Sequence, residues 1–188
     1  MRIIAGFARR TALVAPTGLD TRPTPDMAKE GLFNMISSNI HGASFLDLFC
    51  GSGAIGLEAL SRGAKEAVFV ESAKPAIEST RYNIEKTRLS DSAKLMEMPV
   101  TKAIEKLESG KYCFDIIFLD PPYDTDLLTQ TLNILTATNL LAPDGIIIAE
   151  TDSKLSQEIA KNIPDKLKLT ETRTYGRTCF LFYQRGEV

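Results

Sequence analysis

Two stretches carry residue types whose spacing could do chemistry. In FLDLFCGSGAIGLEAL (45–60) an acid, Asp47, stands near the end of an apolar run, followed by Gly51-Ser52-Gly53 and then Gly56 as a helical pattern begins. A nucleotide-like ligand must lie close against backbone there, and residues without Cβ permit that approach. Eighteen residues past Gly53, at the end of the next apolar run, Glu71 is placed to accept both hydroxyls of a ribose. The acid that begins the loop bears on the ligand's identity: it repels a diphosphate but suits the ammonium of a methionine moiety. S-adenosylmethionine therefore fits better than a nicotinamide dinucleotide.

The second stretch, Asp120-Pro121-Pro122-Tyr123, follows the apolar run FDIIFL. The prolines restrict the backbone, so the Asp120 carboxylate and the Pro121 carbonyl can converge on one spot. Two converging acceptors suit the two N–H bonds of a planar exocyclic amine. They favour pyramidal nitrogen and free its lone pair for in-line attack on a sulfonium methyl. Tyr123 offers a flat surface for base stacking, an interaction of about 1–3 kcal/mol.

The surrounding elements have to place both motifs at one sheet edge. Residues 2–15 read as a β-hairpin around a Gly/Arg turn, and 16–25, with three prolines, as a loop. Thr24 and Pro25 form an N-cap and first-turn pair for a helix to about Ser38. From Ser44 strand and helix alternate: strands at 67–71, 94–98, 114–119 and 145–150, helices at 54–62, 73–89, 101–108, 126–136 and 153–162. The chain closes on two β runs, 167–175 and 178–184, with only Gly176-Arg177 between them. Alternation implies a parallel sheet with helices on both faces, and the tight final turn makes the last pair antiparallel. The expected organisation is one domain over 1–188, with a basic arm at 1–22, a helical region at 23–41 and a ligand-binding core at 42–188.

Composition excludes other classes. The 188 residues are 44% hydrophobic and 24% charged, which suits a folded soluble protein. No apolar run approaches the roughly 18 residues of a membrane helix, and Arg2, Arg9 and Arg10 flank too few apolar residues for a signal peptide. Cys50, Cys113 and Cys179 form no CxxC, which points to reduced thiols in a cytoplasmic protein. With His41 the only histidine, no Cys/His zinc site is expected. Net charge is −2, yet residues 1–22 hold four arginines against one acid, leaving the remainder at −5. A basic arm on an acidic body can hold a polyanion locally. Cys50 reads as a packing residue rather than a nucleophile, Cys113 and Cys179 as packing residues, and Asn83 as a helix-surface or capping residue.

The pair FLDLFCGSG…DPPY resembles the amino-methyltransferases that act on exocyclic amines of bases. RIIAG…TRPTPDMAKEGLFNMI and YGRTCFLFYQR further resemble one family, the bacterial small-subunit ribosomal RNA guanine-N2 methyltransferases of the RsmD type. The likeness runs from Arg2 to Arg185. GSG and DPPY are widespread, whereas the segment before the first core strand is particular to this family. The resemblance implies a Rossmann-like methyltransferase fold: a mostly parallel seven-stranded sheet ending in an antiparallel hairpin, with an N-terminal β-hairpin arm. It implies S-adenosylmethionine as donor, S-adenosylhomocysteine as product, no metal, and a guanine N2 of 16S ribosomal RNA as acceptor. The substrate would be an assembled or assembling 30S particle met by a monomer, away from any membrane. It assigns Asp47, Phe49, Gly51, Ser52, Gly53, Glu71 and Thr24 to the donor and Asp120, Pro121, Pro122 and Tyr123 to catalysis. Arg9, Arg10, Arg22 and Lys29 fall to the RNA. Lys29 stands where the family often has Arg, Tyr123 where it often has Phe, and Pro99-Val100 where many relatives carry an Asp or Asn for the adenine amine. An adenine-N6 DNA methyltransferase uses the same DPPY logic but normally needs an added target-reading domain. A protein-glutamine methyltransferase would resemble NPPY. A non-catalytic ribosome-assembly module has no use for converging acceptors, and Asp47 and the terminal hairpin disfavour a dehydrogenase.

Overall fold

The computed structural model describes residues 1–18, 24–122 and 126–186. Arg22 and Tyr123, expected at the RNA and at the reacting base, lie outside the described residues. Seven strands form one sheet in the order β3-β2-β1-β4-β5-β7-β6. They are β1 (Ser44–Leu48), β2 (Glu66–Glu71), β3 (Ala93–Glu97), β4 (Phe114–Leu119), β5 (Leu141–Asp152), β6 (Leu167–Tyr175) and β7 (Thr178–Arg185). The first five are parallel, and β7 runs antiparallel to both β5 and β6. The alternating pattern and the two-residue turn therefore produce the expected mostly parallel sheet with a terminal hairpin.

The order places β1 near the centre, where the chain turns from building towards β3 to building towards β4. Open α/β sheets bind ligands outside the carboxyl ends of the strands at such a switch point. Leu48 of β1 is in register with Leu119 of β4, which in turn pairs with Ala149 of β5. The glycine loop and Asp120-Pro121-Pro122 thus leave adjacent strands at the same level, although 73 residues separate Asp47 from Asp120.

Helices α1 (Asp26–Met35), α3 (Ala54–Ser61) and α4 (Lys74–Thr87) cover one face with the N-terminal arm, burying Leu32, Phe33, Leu57 and Ile84 against Phe45, Phe69 and Phe118. A single turn, α2 (Ser37–Ile40), follows α1. Helices α5 (Val100–Ser109) and α6 (Leu127–Thr136) cover the other face, burying Ile104, Leu107, Leu128 and Leu132 against Leu46, Ile117 and Leu181. A short α7 (Ser156–Lys161) follows β5. Each half-buried helix contributes one apolar stripe, while the central strands are buried on both faces and read as continuous apolar runs.

Three local expectations are corrected. The arm makes a single antiparallel bridge, Arg2 with Ala12, rather than two strands. Ile3, Arg10 and Leu13 donate across the arm, to the carbonyls of Thr11, Ile3 and Met1, while Ile4 and Ala5 donate to Glu58 and Ala8 to Ser61 Oγ. The cap of α1 is Pro25, and no side chain caps the helix. Thr24 Oγ1 instead donates its proton to Glu150 Oε2 at 2.7 Å, a buried carboxylate being a strong acceptor for a hydroxyl. Cys113 is exposed rather than packed.

Candidate active site

Asp47 sits on β1, buried, and its Oδ2 accepts the Gly56 N–H at 2.9 Å. Gly56 lies in the first turn of α3, so a strand carboxylate satisfies a helix-terminal amide that no local cap serves. Burial pushes the Asp47 carboxyl up to about 7, against the helix amide, which lowers it; Glu71 and Glu150 add to the rise. The loop between β1 and α3 needs left-handed backbone at Gly51 (φ 57°) and Gly53 (φ 75°), and Phe49 adopts it too (φ 64°). A bulky residue there is strained, as ligand-cradling backbone often is. A Cβ on Gly51 would meet nothing within 4 Å, so the space over the loop is open.

Glu71 ends β2 and closes the far side of the loop. Its Oε2 accepts from Gly51 N (3.0 Å), and Oε1 from Ser72 N and Ala73 N (2.8 and 2.9 Å). The carboxylate is therefore fixed in place by backbone, with acceptor capacity left for ligand hydroxyls. The loop is braced from α4, a feature sequence reasoning missed. Thr80 Oγ1 donates to the Gly51 carbonyl, and Asn83 Nδ2 to the Ser52 carbonyl and to the Val14 carbonyl. Asn83 Oδ1 in turn accepts the Val14 N–H. Asn83 is thus fully buried, not a surface or capping residue, and one side chain ties the arm to the glycine loop. Its neighbours on α4, Thr80 and Thr87, are also buried, and this polar stripe at helical spacing was the available signal. The Ser52 hydroxyl turns to Met1 Sδ (3.3 Å), so its backbone, not its side chain, belongs to the loop surface.

Asp120 follows β4, partly buried, with its carboxyl held well above the usual range by burial and by the neighbouring carboxylates of Glu150 and Asp47. Neither Asp47 nor Asp120 has an ion-pair partner among the described residues. Like charges at close quarters in low dielectric raise one another's pKa, and a cation placed among them opposes that rise. Pro121 and Pro122 then line a cleft of about 480 Å³, walled by α6, α7 and the end of β5, with Gln130, Asn133 and Glu150 on its surface. Cys50 beneath the loop is buried, its thiol pushed well up by burial, which keeps it from acting as a nucleophile.

The residues expected at RNA separate. Arg9 and Arg10 are exposed on the arm. Lys29 is not: its side chain is about 2% accessible, with Nζ 3.2 Å from Glu58 Oε2 and donating to the Arg2 carbonyl. An ammonium that a fully buried carboxylate holds in the interior cannot contact a phosphate. Glu58 also accepts from Arg62 Nε at 2.8 Å, completing a buried triad under the arm. Thr24, expected at the donor, is joined through its hydroxyl to Glu150, whose charge acts on both Asp47 and Asp120.

A family profile described as Conserved hypothetical protein 95 matches residues 1–184. The chain is similar to a Bacillus subtilis (strain 168) protein provisionally named rRNA methyltransferase YlbH, at 36% identity over 185 residues, covering 98% of this chain and 99% of that one. It is similar to the Ribosomal RNA small subunit methyltransferase D of Haemophilus influenzae at 32% identity over 185 residues, covering 98% and 93%. Among solved structures, a hypothetical protein of Thermus thermophilus superposes with a TM-score of 0.82 at 31% identity, over 98% of this chain and 99% of that one. The fold is also that of a methyltransferase solved with SAH, 19% identical with a TM-score of 0.66 over 82% of this chain and 48% of that one.

Proposed function

The chain belongs to the Conserved hypothetical protein 95 family, whose named relatives include small-subunit ribosomal RNA methyltransferases D, and from that premise we propose that it methylates the N2 amine of a guanine in 16S ribosomal RNA, using S-adenosylmethionine. The observation that carries this reading is the register of β1 with β4. It sets a glycine loop flanked by Asp47 and Glu71 beside Asp120-Pro121-Pro122, at the one edge where the sheet order switches.

The residues present fit the donor. The loop backbone is open above Gly51, Glu71 is fixed where ribose hydroxyls can donate to it, and Asp47 and Asp120 lie close to other carboxyls with no ion-pair partner among the described residues. S-adenosylmethionine supplies an electrophilic methyl on a sulfonium and carries positive charge that this region attracts. With such a cation held nearby, Asp120 ionises and becomes a pure acceptor. Asp120 and the Pro121 carbonyl then accept the two N2–H bonds, align the lone pair, and Asp120 or water takes the product proton. The cleft beside Pro121 and Pro122 receives the base, which must be unpaired or flipped to present its amine. Arg9 and Arg10 contact phosphates, and an acidic body with so small a basic arm favours a particle over free RNA as substrate.

The test supplies labelled donor to undermethylated small subunits, to protein-free ribosomal RNA and to duplex DNA, with the product nucleoside identified by mass spectrometry. N2-methylguanosine from the subunits is expected, and Asp120→Ala should lower turnover at least about a hundredfold while donor affinity changes little. Label appearing only as N6-methyladenine in DNA, or full turnover in Asp120→Ala, overturns the reading.

A further inference from the structure

The turn at residues 5–10 is held firmly, and what it displays is an aromatic ring in water. Ile4 N and Ala5 N donate to the two oxygens of Glu58, Phe7 N to the Ser61 carbonyl and Ala8 N to Ser61 Oγ, while that hydroxyl donates back to the Ala5 carbonyl. Gly6 has φ 81°, and a Cβ on it would lie 1.6 Å from the Ser61 oxygen, so the turn sits directly on the last turn of α3. Beneath it Glu58 is paired with both Lys29 and Arg62. A buried charged triad is a poor source of stability, and such groups are better understood as fixing one arrangement. Phe7, at the head of this turn, is 89% exposed, and Arg9 and Arg10 beside it are exposed as well. Arg10 also takes left-handed backbone (φ 71°), a conformation a flexible strand would avoid. The backbone is thus pinned in a way that keeps the ring from folding inward.

We propose that Phe7 is a stacking platform for an unpaired base of the RNA substrate, with Arg9 and Arg10 neutralising neighbouring phosphates. The inference rests on the RNA reading above and adds a contact at a distance from the chemistry. The eight residues of α3 place Ser61 about 12 Å from the glycine loop, so the platform engages RNA other than the reacting nucleotide. Its chemistry suits RNA better than protein. A protein hot spot lies within a surround that excludes water, whereas this ring stands among guanidiniums, the pairing by which single strands are held through base faces and backbone charge. The arm is also where positive charge concentrates on an otherwise acidic chain.

The test measures binding of an unstructured single-stranded RNA by fluorescence anisotropy at several salt concentrations, with donor affinity and methyl transfer to small subunits read in parallel. Phe7→Ala should weaken RNA binding about tenfold, with an unchanged salt slope, because a stacked ring releases no counterions. Phe7→Trp should restore it. Arg9→Ala/Arg10→Ala should flatten the salt slope by about 1.4. Unchanged donor affinity in every variant shows that the fold is intact. RNA binding by Phe7→Ala within twofold of wild type, or a loss that Phe7→Trp fails to restore, overturns the platform. So does a Phe7→Ala defect that appears only with ribosomal proteins present. If wild type binds RNA through Phe7 but transfers no methyl to any RNA, the functional reading fails and the platform stands.

Discussion

Asp47 is where the site's electrostatics become measurable. Its carboxyl is raised to about 7, so the fold favours the protonated form. The stability linked to this group is fully present below the ordinary carboxylate range and is lost as pH rises through about 7. A cationic donor beside Asp47 reverses the preference and expels the proton. Donor affinity should therefore fall as pH drops through about 7, and calorimetry at about pH 6 in buffers of different ionisation heat should show proton release. Asp47→Asn should remove both the release and the pH dependence. A wild-type protein that binds donor with no proton release under those conditions would show that Asp47 does not sense the donor's charge. Glu71 differs on the same loop, because three backbone amides hold its carboxylate in place, and the proposed function makes it the acceptor for the ribose.

At the scale of elements, β7 holds an anomaly. Tyr183 is fully buried between β5 and β6, and its hydroxyl finds no hydrogen-bond partner among the described residues. Burial raises its pKa, so the group stays neutral. An orphaned hydroxyl carries a desolvation cost that its removal relieves. Tyr183→Phe should thus leave the urea midpoint unchanged or raise stability by about 1 kcal/mol; a loss of similar size would reveal a partner. The elements themselves were legible from sequence. FDIIFL gives β4 and LKLTETRTY gives β6 with the expected limits, because apolar runs and a two-residue turn are local signals. The brace from α4 was not. Thr80 and Asn83 acquire their roles from carbonyls 29 to 31 residues earlier in the chain, and the polar stripe that they share with Thr87 marks an inward face without showing what it meets.

For the molecule as a whole, the arm is part of the packed body. Ile3, Ala8 and Leu13 join the same core cluster as α1 and α3. Sequence placed the positive charge correctly but not its division. Arg2 pairs with Asp26 and Lys29 with Glu58, which leaves Arg9 and Arg10 facing solvent. Lys29 reads as a solvent-facing cation because its partner lies 29 residues on, within an otherwise apolar helix. Lys29→Met should cost about 3 kcal/mol in a urea titration, since Glu58 keeps its buried charge with only Arg62 to offset it. Undiminished stability would mean that Arg62 alone suffices. Desolvation lowers the Lys29 pKa while Glu58 raises it, and the net direction is down.

Those long-range ties also set an order of events during synthesis. Ile4 and Ala5 wait for Glu58, and Val14 for Asn83, which are separated from them by 53 to 69 residues. At about 5–20 residues per second, translation leaves the segment without its partners for roughly 3–14 seconds. During that interval Ile3, Phe7 and Leu13 have no core to enter, and the arginines interspersed among them repel one another. The basic residues that the proposed function sets against RNA would thus also oppose collapse of the nascent arm until α3 and α4 arrive to receive it.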